Sequence, residues 1–162
     1  MTDYDAAIAL NREVQTSNTH WNTAEVFRQR PTLKPVLVSL LAYSVGKAPV
    51  LYLHATITEA TDPDALVRIT AFTEETIAIV TGFKSPSARV LSRSSLQAIS
   101  IDEAPNLLSN DWSTSNALRL SLDYGEALGD VAMVTLGHEL QTPKNVSELG
   151  TFLPTLQADL LR

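Results

Sequence analysis

The 162 residues carry a net charge of −6, with 44% hydrophobic and 19% charged residues, the profile of one soluble globular domain. The acidic balance disfavours non-specific binding to phosphate polymers and anionic lipid. The absence of cysteine excludes disulfides, thiolate zinc sites and cysteine nucleophiles.

The N-terminus, Met1-Thr2-Asp3-Tyr4-Asp5, has neither a basic nor an apolar signal region, and a cytoplasmic location is expected. The longest apolar stretch, Val36 to Val45, is too short to span a bilayer, which needs about 20 residues. Asp3 to Gln15 reads as a helix with acids in its first turn. Thr16 to Thr19 breaks it, and Asn22 with Glu25 forms a capping-box pattern for a short second helix ended by Pro31. Leu33 to Ser44 has apolar residues at helical spacing, Pro35 in the first turn and Gly46 as a C-cap. A buried strand through Val36, Val38 and Leu40 is the alternative, and the stop signals favour the helix.

From Val50 the chain turns β-rich. In Val50 to Glu59, Leu51, Leu53, Ala55 and Ile57 alternate with Tyr52, His54, Thr56 and Thr58. Leu66 to Phe72 and Thr76 to Phe83 form a hairpin across Thr73-Glu74-Glu75. Ala88 to Leu91, Leu96 to Ile101, Ala117 to Leu122 and Val131 to Leu136 are further short strands. A final helix, with Asn145 or Ser147 as its cap, carries Leu149, Phe152, Leu153, Leu156 and Leu160 on one face. Pro154 inside it should kink it or mark its true start. Helices, then serial strands with short turns, then a helix define an α+β chain with a mostly antiparallel sheet. The organisation read from this is a single domain, 1–162, with 1–48 a helical N-terminal extension and 49–162 the core.

The succession Leu66 to Thr73, Thr76 to Thr81, Ala88 to Ile99 and Ala117 to Gly125, followed by a strand and the helix, resembles the bacterial branch of the pleckstrin-homology-like superfold. The resemblance implies an antiparallel sheet bent into a PH-like barrel, with N-terminal helices and a closing C-terminal helix. A nuclear-transport-factor-like cone accounts better for the first helices and worse for the last. A secretion-chaperone-like fold is a third reading. In lipid-binding members of the superfold, basic residues gather around the loop between the first two strands. Here that loop is Glu59-Ala60-Thr61-Asp62-Pro63-Asp64, with three acids and no base, which argues against phosphoinositide binding.

His20, His54 and His138 have no metal-binding spacing, and no nucleotide-binding or nucleophile-elbow motif is present. Glu74-Glu75 and Asp102-Glu103 lie at turns and read as solvated. No catalytic residue, cofactor or metal is indicated. Lys84, Arg89 and Arg93 form the one basic cluster among serines, suited to an anion or, as the commoner case, to a solvated basic edge. Trp21 and Trp112 stand in polar segments, as partner contacts or as plugs on the core. The expectation is a non-catalytic interaction module with a protein or peptide partner, no nucleic acid, no stable membrane binding and room for a homodimer. The alternative is a ligand-binding or enzymatic cone with His54 and Tyr52 among its polar groups.

Overall fold

The computed structural model describes residues 2–82, 85–105, 107–108, 117–129, 133–137 and 143–162. The chain divides into two compact units, Met1–Ser92 and Arg93–Arg162.

In the first unit, α1 (Asp3–Ser17), α2 (Glu25–Gln29) and α3 (Leu33–Val45) precede β1 (Tyr52–Ile57), β2 (Val67–Phe72), β3 (Thr76–Gly82) and β4 (Ser87–Ser92). Thr2 and Asp5 cap α1 reciprocally, each bonding the other's backbone N–H, which satisfies two donors that the first turn leaves open. α2 starts from Ala24, with no side-chain cap, so Asn22 does not fill the capping role expected of it. Leu33 to Val45 is helical, and Gly46 ends it with φ +65° and its N–H bonded to the Ala42 carbonyl at 2.9 Å. That backbone conformation favours glycine.

The four strands pair antiparallel in chain order. Side chains alternate across the sheet, so one face carries Leu53, Ala55, Ile57, Val67, Ile69, Ala71, Ala78 and Val80. These residues join one apolar core with Leu10 and Val14 of α1, Trp21, Val26 and Phe27, and Leu33, Leu37, Val38 and Leu41 of α3. Gly82 lies on the same face, and a Cβ there would stand 2.9 Å from a Leu37 methyl. The absent side chain is what lets α3 approach β3.

The second unit contains the single-turn helix Arg93–Ser95, β5 (Ala98–Glu103), β6 (Arg119–Asp123), a turn of helix at Gly125–Leu128, β7 (Val134–Leu136) and α4 (Pro143–Asp159). Its strands also pair antiparallel in order, with Leu120 opposite Leu136 and Leu122 opposite Val134. Pro154 falls inside α4, which continues to Asp159.

The α+β class, the antiparallel pairing and the helices at both ends match the sequence reading. The expected barrel does not: among the described residues the strands form separate sheets of four and three, and no closed barrel. The helical turn at Arg93–Ser95 takes the chain out of extended conformation between β4 and β5, where a continuous meander needs a hairpin. Among the described residues no helix is long and apolar enough to cross a membrane.

Candidate functional site

The face of the first sheet opposite α1 and α3 is composed differently. By alternation it carries Tyr52, His54 and Thr56 of β1, Arg68, Thr70 and Phe72 of β2, Ile77, Ile79 and Thr81 of β3, and Ser87, Arg89 and Leu91 of β4. It holds two arginines and no acid. At one end Tyr52, Phe72 and Ile77 are buried, and the rings of Tyr52 and Phe72 lie 6.2 Å apart. His54, only 4% exposed, shares a cross-strand row with Thr70, Ile79 and Arg89. At the other end Thr56, Arg68 and Thr81 are half-buried, and Ser87 is exposed.

β4 ends this sheet, and the direction of its backbone groups follows from the ladder. The Thr58 N–H donates to the Leu66 carbonyl at 3.1 Å, and the Leu51 N–H to the Phe72 carbonyl at 2.7 Å. Leu66 and Phe72 therefore turn their backbone groups toward β1. Such groups alternate along an antiparallel strand, so Val67, Ile69 and Ala71 turn theirs toward β3. In turn Ile77, Ile79 and Thr81 face β4 and meet Leu91, Arg89 and Ser87. The N–H and C=O groups of Ala88 and Val90 consequently point off the edge. Every residue of β4 except Leu91 is exposed, and Val90 is 47% exposed.

In the second unit the notable group is buried. Arg93, 1% exposed, donates from Nε to Asp159 Oδ2 at 2.9 Å and from Nη2 to Oδ1 at 2.8 Å. The guanidinium also lies 6.0 Å from the Phe152 ring centroid. Tyr124 is buried nearby. Its hydroxyl has no hydrogen-bond partner, and its pKa is pushed above the usual tyrosine range by burial first and by the Asp159 charge second, against the Arg93 charge.

The residues singled out from sequence therefore part company. Arg89 lies on the exposed edge strand. Arg93 is inside the second unit with its fork taken by Asp159, so it offers no surface charge. Trp21 is fully buried, donates from its indole N–H to Asn11 Oδ1 at 2.8 Å, and meets Phe27 edge-on at 4.8 Å. The Lys34 ammonium sits 5.3 Å from the Trp21 ring centroid and 5.0 Å from that of Phe27. Trp21 is thus a core plug. Lys84 and Trp112 lie outside the described residues, as does His138. Among the described residues no group of three potential ligands is placed to hold a metal ion.

Nothing in the sequence sets Arg68 apart. It sits in Val67-Arg68-Ile69-Thr70-Ala71-Phe72, an ordinary alternating strand, and only cross-strand pairing shows the acid-free face around it. No protein-family model, curated protein or solved structure matches the chain.

Proposed function

We propose that this chain is a non-catalytic interaction module that receives an extended segment of a protein partner along β4. The observation carrying this reading is the outward pair of backbone groups at Ala88 and Val90 on an exposed terminal strand. Such an edge is a template for an added strand. Arg89, Ser87 and Val90 would supply side-chain contacts, and backbone hydrogen bonds the register. Among the described residues, two antiparallel runs, β1–β4 and β5–β7, each paired in chain order and the second followed by a helix, are the support for a pleckstrin-homology-like core over residues 49–162. The helices α1 and α3 would serve as the rigid backing of the receiving sheet. A cytoplasmic setting and the lack of nucleic-acid partners belong to the same proposal and rest on charge and sequence alone.

The test uses peptides selected on the intact chain from a ten-residue display library. Val90→Pro removes an outward N–H and leaves the β3 ladder whole, because edge strands tolerate proline on the open side. Binding that is lost in Val90→Pro at unchanged melting temperature, with amide-exchange protection of Ala88 and Val90 on peptide addition, supports the reading. Selected peptides that bind Val90→Pro as well as the original chain overturn it.

A further inference from the structure

The Arg68 side chain has a donor with no acceptor. Its Nε is shielded from solvent and, among the described residues, has no hydrogen-bond partner and no ion pair at its guanidinium. A half-buried guanidinium left in this condition is costly, since its desolvation is uncompensated. The sheet supplies no remedy. The cross-strand neighbours of Arg68 are Thr56 and Thr81, and their whole face contains no carboxylate. In the turn between β1 and β2, Glu59 accepts from the Thr61 hydroxyl at 3.2 Å, and Asp62 from the Asp64 N–H at 2.8 Å.

The same molecule shows how such an arginine is satisfied. Arg93 grips Asp159 with Nε and one terminal nitrogen, a two-point fork on a planar carboxylate. Arg68 presents the same Nε edge without the acid. We infer that Arg68, flanked by Thr56 and Thr81, is a binding site for a single carboxylate, gripped through Nε and one Nη when the half-buried side chain turns its Nε edge outward. The planar fork matches two coplanar oxygens, and the two hydroxyls offer further donors beside it. The acids Glu59, Asp62 and Asp64 in the adjoining turn repel a polyanion, so the site selects a ligand of one negative charge. This site is separate from the β4 edge and does not depend on strand addition there.

The guanidinium N–H of Arg68 is its own reporter. In ¹⁵N-labelled protein its Nε–Hε signal is followed during titration with sodium acetate, with an acetylated, amidated Thr-Thr-Glu-Thr-Thr peptide, and with inorganic phosphate, against sodium chloride at matched ionic strength. Acetate or the peptide should move the signal saturably, with a dissociation constant on the order of millimolar, and the stronger of the two identifies a free acid or a peptide side chain as the source. Arg68→Lys should abolish the saturable shifts that the carboxylates cause in the backbone amide signals of Thr56 and Thr81. Thr81→Glu supplies a carboxylate beside Arg68 and should raise the melting temperature while removing the acetate response. A signal unmoved by both carboxylates overturns the inference, as does a Thr81→Glu variant that is less stable and still answers acetate. Saturation by phosphate at a tenfold lower concentration than by either carboxylate also overturns it, in favour of a phosphate site. Peptide binding at β4, read through Val90→Pro, stands or falls without affecting any of these outcomes.

Discussion

Arg93 and Asp159, 66 residues apart in sequence, hold each other through two parallel hydrogen bonds of 2.9 and 2.8 Å with both side chains out of water. The pair joins the first turn of the second unit to the last turn of α4. Removing Asp159 strips the buried Arg93 of this carboxylate, and removing Arg93 leaves Asp159 with only Arg162, 3.5 Å away, whereas replacing both strands neither charge.

Arg93→Ala and Asp159→Ala are each expected to cost about 3–5 kcal/mol in chemical denaturation. The double replacement Arg93→Met with Asp159→Leu should recover most of that loss. Equal and additive destabilisation in all three would show that the pair contributes packing alone.

Tyr124 gives an alkaline signature. Its folded-state pKa is raised, by burial before any charge, so the unfolded chain releases the proton first. Its contribution is constant at neutral pH and is lost as pH rises above about 10, the ordinary tyrosine value. Ultraviolet titration of the folded protein should leave Tyr124 protonated above pH about 10, with its ionisation appearing only as the chain unfolds. Tyr124→Phe should remove the alkaline loss and be neutral or slightly stabilising at pH 7, because the hydroxyl has no partner to forfeit.

Asn18 ties the end of α1 to the sheet. Its amide donates to the Ala55 carbonyl at 2.9 Å and its Oδ1 accepts from the His20 N–H at 2.9 Å. Asn18→Ala strands buried backbone groups and should cost about 1–3 kcal/mol. Asn18→Asp keeps the acceptor for His20 but sets a buried carboxylate oxygen against the Ala55 carbonyl, so thermal melts should place it at or below Asn18→Ala.

Gly82→Ala brings a Cβ against Leu37 and should cost about 1–3 kcal/mol from overpacking. Leu37→Val, which trims the contacted methyl, should cost less in the Gly82→Ala background than alone, as the coupling in a double-mutant cycle. Strict additivity would show that α3 simply shifts.

Arg89 offers a check on charge. Full-length chain should not sediment with vesicles containing 20% phosphatidylserine at physiological salt, given a net charge of −6 and an electrostatic pull of only about 1 kcal/mol per basic residue. Sedimentation that disappears in Arg89→Glu would make β4 a membrane contact.

The sequence carries the fold legibly where a single element holds the signal. Gly46 marked the end of α3, the Leu53-Ala55-Ile57 alternation marked the helix-backed face, and Thr73-Glu74-Glu75 marked a hairpin. Asn22 was misleading because capping patterns recur by chance, and the polar residue that matters, Asn18, acts on a carbonyl 37 residues away. The basic cluster failed for the same reason. Proximity of Arg89 and Arg93 in sequence says nothing of Asp159, which claims one of them from the far end of α4. Arg68 was invisible because its meaning is an absence across three strands, and register alone exposes that.

The placement of Asp159 also sets an order of assembly. During synthesis every member of the first core has been joined to the chain once Val80 is made, so α1–α3 and β1–β3 can close when that stretch leaves the ribosome, while translation continues. Arg93 follows soon after and must wait for Asp159, the last residue of α4. Until then the nascent second unit carries an unneutralised cation that belongs in its interior, and it cannot complete its packing ahead of that helix.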